Sequence, residues 1–121
     1  MAFDVYFADR IRRVLLSRKV AFTEKNMMGG LIFMVDEKMC IGADQDRESK
    51  EDRLMARIGK DSYEAALIET GARQMNFTGT VMRGFVFIYP DGTEDDDHLE
   101  FWIDKALAFN PLAKKSKKKK T

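Results

Sequence analysis

Apolar residues recur along this chain in two periods, and the switches between the periods divide it into elements. From Asp4 to Ser17, Phe7, Ile11, Val14 and Leu15 fall on one side of a helical wheel while Asp9, Arg10, Arg12 and Arg13 fall elsewhere, which predicts an amphipathic helix. VAFTEKNM then alternates residue by residue and predicts an edge strand. Gly29 and Gly30 break the chain before LIFMV, a run whose length and branched and aromatic content predict a buried strand. Asp36, Glu37 and Lys38 turn into MCIGA, so the two runs read as a central antiparallel hairpin whose bend lacks the favoured glycine.

The densely charged stretch DQDRESKEDR, residues 44–53, offers no large apolar side chain to bury and predicts a solvated loop. RLMARIG follows, where propensity alone favours a helix. A short helix is expected from Asp61, with Asp61 and Glu64 at capping-box spacing and Gly71 as a left-handed C-terminal cap. RQMNFTGTVMRGF then leads into GFVFIYP, a strand apolar on both faces that ends at Pro90, Asp91 and Gly92. In the last helix Thr93 and Asp96 have capping-box spacing, and the acids from Glu94 to Asp97 complement the helix dipole. Leu99, Trp102, Ile103 and Ala106 supply its buried face, and Asn110 with Pro111 stops it.

This order of elements predicts an α+β fold of two layers, an antiparallel sheet of five to six strands with N-terminal, middle and C-terminal helices packed on it. At 121 residues the chain fits one domain, residues 1–112, followed by a lysine-rich tail, residues 113–121, with the composition of a disordered segment. The tail changes how the net charge of +1 is understood. Its lysines Lys114, Lys115, Lys117, Lys118, Lys119 and Lys120 belong to the 21 basic residues, and without them 15 bases face 20 acids, a balance of −5. The folded part is therefore mildly acidic and does not suit a general phosphate-binding surface, whereas the tail could add nonspecific nucleic-acid affinity. One cysteine, Cys40, excludes an intramolecular disulfide, and one histidine, His98, excludes the usual zinc arrangements. Without a signal peptide or a membrane-length apolar run, a reducing cytoplasm is expected, with no membrane partner.

Four blocks then stand in a specific order: KNMMGGLIFMVDEKMCIG, LMARIGKDSYEAAL, ARQMNFTGTVMRGFVFI, and an acidic helix start leading to ALAF. Together they resemble the TfoX (Sxy) N-terminal domain family, from the first helix to about Phe109, and the chain is identified as a stand-alone single-domain member. The resemblance implies a two-layer α+β domain with a topology similar to that of type III secretion chaperones. It also implies that RLMARIG is a strand, with Leu54, Ala56 and Ile58 on one face and Met55 and Arg57 on the other. Full-length regulators of this kind act in natural competence and transcription alongside the cyclic-AMP receptor protein and carry a second, C-terminal domain. The resemblance thus implies a regulatory or binding role with no catalytic residues and no cofactor.

Candidate chemistry is sparse. Cys40 with His98 as base would make a nucleophile pair, but Cys40 lies in an apolar strand where cysteine is usually a small buried hydrophobe. Glu94 to Asp97 fan around a helix and do not converge on one metal ion. Gly29 and Gly30 could cradle an anion at a strand entry. Arg73 and Arg83 bracket the turn around Gly79 and could reach one anionic ligand, or else lie on an exposed face and pair with the protein's own acids. Three functions follow: a non-catalytic domain binding a protein partner or a second copy of itself as a homodimer, a nucleic-acid-associated protein acting through its tail, and a small anionic-ligand binder or enzyme using Arg73 and Arg83.

Overall fold

In the computed structural model, which describes residues 3–27, 29–77 and 79–114, the chain forms three helices and one six-stranded sheet. The order is α1 (Val5–Ser17), β1 (Thr23–Met27), β2 (Gly30–Val35), β3 (Lys38–Gln45), β4 (Asp52–Arg57), α2 (Tyr63–Ile68), β5 (Ala72–Phe77), β6 (Thr80–Ile88) and α3 (Asp96–Phe109). The strands lie in the order β1-β2-β3-β4-β6-β5, and every neighbouring pair is antiparallel. The predicted α+β architecture is the one found, and RLMARIG lies in and just after β4. Its Leu54, Ala56 and Ile58 pack into the helix-covered core while Met55 packs on the other face. Burial on both faces of a central strand outweighs the modest helix propensity of Leu, Met, Ala and Arg.

The core follows from strand alternation. Phe33, Ile41, Ala43, Leu54, Ala56, Val86 and Ile88 turn to one face, where α1 contributes Ile11 and Leu15, α2 contributes Tyr63 and Ala66, and α3 contributes Leu99, Trp102, Ile103 and Ala106. Cys40 is the extra residue between the Phe33–Ile41 and Met34–Met39 pairs, and it joins this core with 1% of its surface exposed. Charged side chains fasten the helices together at the rim. Arg18, the C-cap of α1, reaches Glu100 and Asp104 of α3 at 2.8 Å each, and Arg10 donates to the Thr93 carbonyl at 2.8 Å.

Local signals differ from expectation in three places. DQDRESKEDR is not a ten-residue loop, because β3 runs on to Gln45 and β4 starts at Asp52, so that Asp44 pairs across the strands with Arg53. Charged side chains can occupy strands when they neutralise each other across the ladder. The capping box at Asp61 and Glu64 does not form, since Ser62 stands at the N-cap and makes no side-chain cap bond. For α3 the cap is Asp95, whose carboxylate accepts from the Asp97 amide, while Thr93 is buried in the preceding turn. The glycine-free bend between β2 and β3 is built by Asp36 and Glu37 with φ of 53° and 63°, in the left-handed region that aspartate and asparagine visit most readily among non-glycine residues and that Glu37 enters without that preference.

Candidate functional site

All three helices pack on one face of the sheet, so the opposite face carries the chain's second apolar cluster without a helix among the described residues to cover it. This open face is unusual in composition. Met27, Met34, Met39, Met55, Met75 and Met82 all belong to it, six of the eight methionines in the chain, and the other two, Met1 and Met28, lie outside the described residues. Methionine has three rotatable bonds and a polarizable sulfur, so a surface made of it can reshape around different partners.

Between β4 and the edge strand β5 runs β6, where Phe85, Phe87 and, just past its end, Tyr89 turn outward and each meet a guanidinium. Arg57 lies 5.2 Å from the Phe85 ring centre, Arg53 lies 3.7 Å from that of Phe87, and Arg73 lies 4.1 Å from that of Tyr89. Each is a cation–π contact in which the arginine stem also shields ring carbon from water. Arg53 anchors this row. It forks the Asp44 carboxylate at 2.8 and 3.1 Å and donates to the Tyr89 hydroxyl at 3.1 Å. That hydroxyl donates in turn to Asp46, which also accepts from the amides of Glu48 at 2.8 Å and Ser49 at 3.2 Å. The Tyr89 bond and the two amides hold the Asp46 carboxyl down at about 2. Burial, then the Asp46 bond, pushes the Tyr89 phenol up.

Beside this network the face sinks into a cavity of about 660 Å³ that is open to solvent. Glycines make its floor. Gly42 stands across from Ile32, and a Cβ there would lie 2.8 Å from Ile32 Cδ1, while at Gly30 it would lie 2.5 Å from the Ala43 carbonyl oxygen. Met27, Met55, Met75 and Phe87 supply apolar walls, and Asp44, Asp46 and Arg53 supply a polar end.

Arg57 differs from Arg53 in having no carboxylate within ion-pair distance among the described residues. It is half-buried, donates only to the main-chain carbonyls of Met39 at 3.5 Å and Lys114 at 3.3 Å, and has its pKa lowered by burial. Arg73 and Lys25, which stand opposite Phe87 and Ile32 and so share the open face, also form no ion pair among the described residues. Residues 15–110 match the model of the TfoX N-terminal domain. The chain belongs to the TfoX N-terminal domain family. Among curated proteins nothing matches it.

Within this TfoX-type domain the residues singled out from sequence fall in different places. Gly29 and Gly30 both line the open-face cavity, Gly29 with φ of 76° at the exposed turn and Gly30 buried in β2. Arg73 is exposed and lies on Tyr89, while Arg83 is exposed in β6 where the β5–β6 register is interrupted and Gly84 takes a φ of 95°. Neither arginine lines the cavity. Lys114 is the tail's one described lysine, and Lys115, Lys117, Lys118, Lys119 and Lys120 lie outside the described residues. Cys40 sits in the helix-side core with its thiol pushed up to about 12 by burial, whereas His98 is exposed on α3 beside Asp95 at 3.3 Å. A neutral buried thiol is not a nucleophile. No group of three or more His, Cys, Asp or Glu residues that could hold a metal occurs among the described residues, and no described helix is long and apolar enough to cross a membrane.

Sequence reasoning passed over Asp44, Asp46, Arg53, Arg57 and Tyr89. The first three were absorbed into an apparently solvated loop, and Tyr89 into the end of a strand. The signal that could have found them is the alternation MARIG against GFVFIY, which sets Met55 and Arg57 on the same face as Phe85 and Phe87 once both segments are strands.

Proposed function

We propose that this chain is a non-catalytic binding domain that engages a protein partner through its open sheet face, and so serves a regulatory role as members of its family do. The observation that carries the reading is the gathering of all six described methionines on the one face that the helices leave uncovered. A sheet face that needed only to be wetted would be polar outward, as in most antiparallel sheets. Here it is apolar and adaptable, and it is shielded by its own methionine and arginine side chains.

The sheet edges support face-on binding over strand addition. Glu24 and Lys25 place charges along β1, and a register irregularity between Gln74 and Asn76 disturbs β5, both of which oppose edge pairing. The chemistry of the site supports binding over turnover. Asp44, Asp46 and Arg53 satisfy one another, and the single thiol is sealed in the other face.

The reading is tested by placing a photo-crosslinking amino acid at Met34 or Met82 on the open face, and at Leu16 or Phe101 on the helix layer, in cells that naturally make the protein. Discrete crosslinked protein species are expected from the open-face positions. Crosslinks arising only from the helix layer, or from none of the four, would overturn it.

A further inference from the structure

We infer that the partner segment received by the open face is acidic and amphipathic, laying apolar side chains on the methionines and carboxylates on Arg57, Arg73 and Lys25. This rests on the open-face reading above and adds the partner's chemistry. Without its lysine tail the chain has a balance of −5, yet Lys25, Arg53, Arg57 and Arg73 share the open face, where Arg47 and Glu48 also line the cavity, with Asp44 and Asp46. Both of those acids are already held by Arg53.

The helix layer shows the opposite economy. Its arginines 10, 12, 13 and 18 each pair with a carboxylate, at distances from 2.6 to 3.1 Å. In a protein with acids to spare, three open-face cations without an ion pair among the described residues are donors left for another molecule. Arg57 makes the case most strongly. A half-buried guanidinium held by two long carbonyl bonds and the Phe85 ring has no counter-charge among the described residues, and a carboxylate delivered to it would supply the missing charge in a partly dry setting, where such hydrogen bonds are strongest.

Other occupants fit less well. A nucleic-acid strand needs aromatic faces on which bases stack, but Phe87 and Tyr89 are only 7% and 6% exposed and carry guanidinium groups on their rings. A second copy laid face to face would bring the same unpaired cations together. A basic segment would meet Lys25, Arg57 and Arg73 with like charge.

The full chain, labelled with nitrogen-15 and with carbon-13 at the methionine methyls, is titrated at one ionic strength with three probes. They are a peptide of leucine and phenylalanine interspersed with glutamates, the same peptide with lysines for glutamates, and an oligothymidine. The acidic peptide is expected to shift the open-face methionine methyls and to bind about tenfold more tightly than the lysine peptide. Arg57→Gln and Arg73→Gln should each weaken it roughly three- to fivefold. Arg73 is exposed, so its variant keeps the test valid if Arg57→Gln fails to fold, and both retain the lysine tail. Unchanged affinity in both variants would mean that the tail alone attracts the peptide and would overturn the inference. Equal or tighter binding of the lysine peptide to the same methionines would overturn the acidic assignment while leaving the open-face reading in place, as would displacement of the acidic peptide by oligothymidine. Shifts confined to the helix layer, or no shift up to millimolar peptide, would overturn it as well.

Discussion

The Arg53 guanidinium lies 3.7 Å from the centre of the Phe87 ring while it forks the Asp44 carboxylate across the β3–β4 ladder. One side chain thus shields an aromatic on the uncovered face and neutralises an acid that would otherwise interrupt an apolar strand pair. Lysine cannot do both, because its single ammonium neither stacks flat on a ring nor spans both carboxylate oxygens.

Arg53→Lys is therefore expected to destabilise the fold by about 1–3 kcal/mol, and Arg53→Met by at least as much, since methionine leaves Asp44 unpaired. Chemical denaturation with circular dichroism measures this. A variant within about 0.5 kcal/mol of the parent would show that the network is solvated and contributes little.

Asp46 gives a pH dependence whose sign is fixed. Folding lowers its carboxyl from 3.8 to about 2, so the associated stability is fully present above the ordinary carboxylate range and is lost as pH falls through about 2. The urea midpoint of Asp46→Asn should lie below that of the parent by a constant gap from about pH 5 upward, and that gap should close between about pH 4 and pH 2. Tyr89→Phe removes the first of the bonds that hold the carboxyl down and should move the parent's acid transition to higher pH. A gap unchanged down to pH 2 would contradict the assignment.

The two floor glycines should respond unequally to alanine. At Gly30 the new Cβ would meet a main-chain oxygen at 2.5 Å, whereas at Gly42 it would meet the terminal Cδ1 of Ile32 at 2.8 Å. Backbone cannot yield as a side-chain tip can, so Gly30→Ala should cost about 1–3 kcal/mol and Gly42→Ala less. Thermal melting of the two variants side by side decides the order.

Cys40 should be silent toward a thiol reagent in the native state, because burial pushes the thiol up to about 12 and leaves 1% of the residue exposed. Its labelling rate should track global opening and rise with denaturant. Fast labelling in native buffer would place the β2–β3 hairpin outside the cooperative core.

How much of this was legible in the sequence depended on whether the signal was local. The amphipathic run Phe7–Leu15, the LIFMV and GFVFI strands and the capped final helix are set by neighbours a few residues apart, and the α+β class followed from their order. RLMARIG needed the family resemblance, because only the sheet around it makes a strand of good helix formers. The open-face network was not legible. Arg53 reads as part of a charged loop until β3 and β4 pair, and Arg57, Phe85 and Met39 come from three strands that only the sheet order brings together. Arg73 and Arg83 looked like a pair because they bracket a turn, yet neither lines the open-face cavity. Nothing within RQMNFTGTVMRGF discloses the register irregularity in β5 or the positive φ of Gly84 that shape this hairpin.

The claim that the open sheet face is the binding surface is tested most directly by its methionine methyls. Carbon-13 methyl spectra of the full chain would be recorded alone and in extract of its own cells, with the six open-face methionines assigned by single substitutions. The account predicts that these methyls shift or broaden in extract while methyls of the helix layer, such as those of Leu16, stay fixed. Unmoved methionine methyls alongside perturbed helix-layer signals would contradict it.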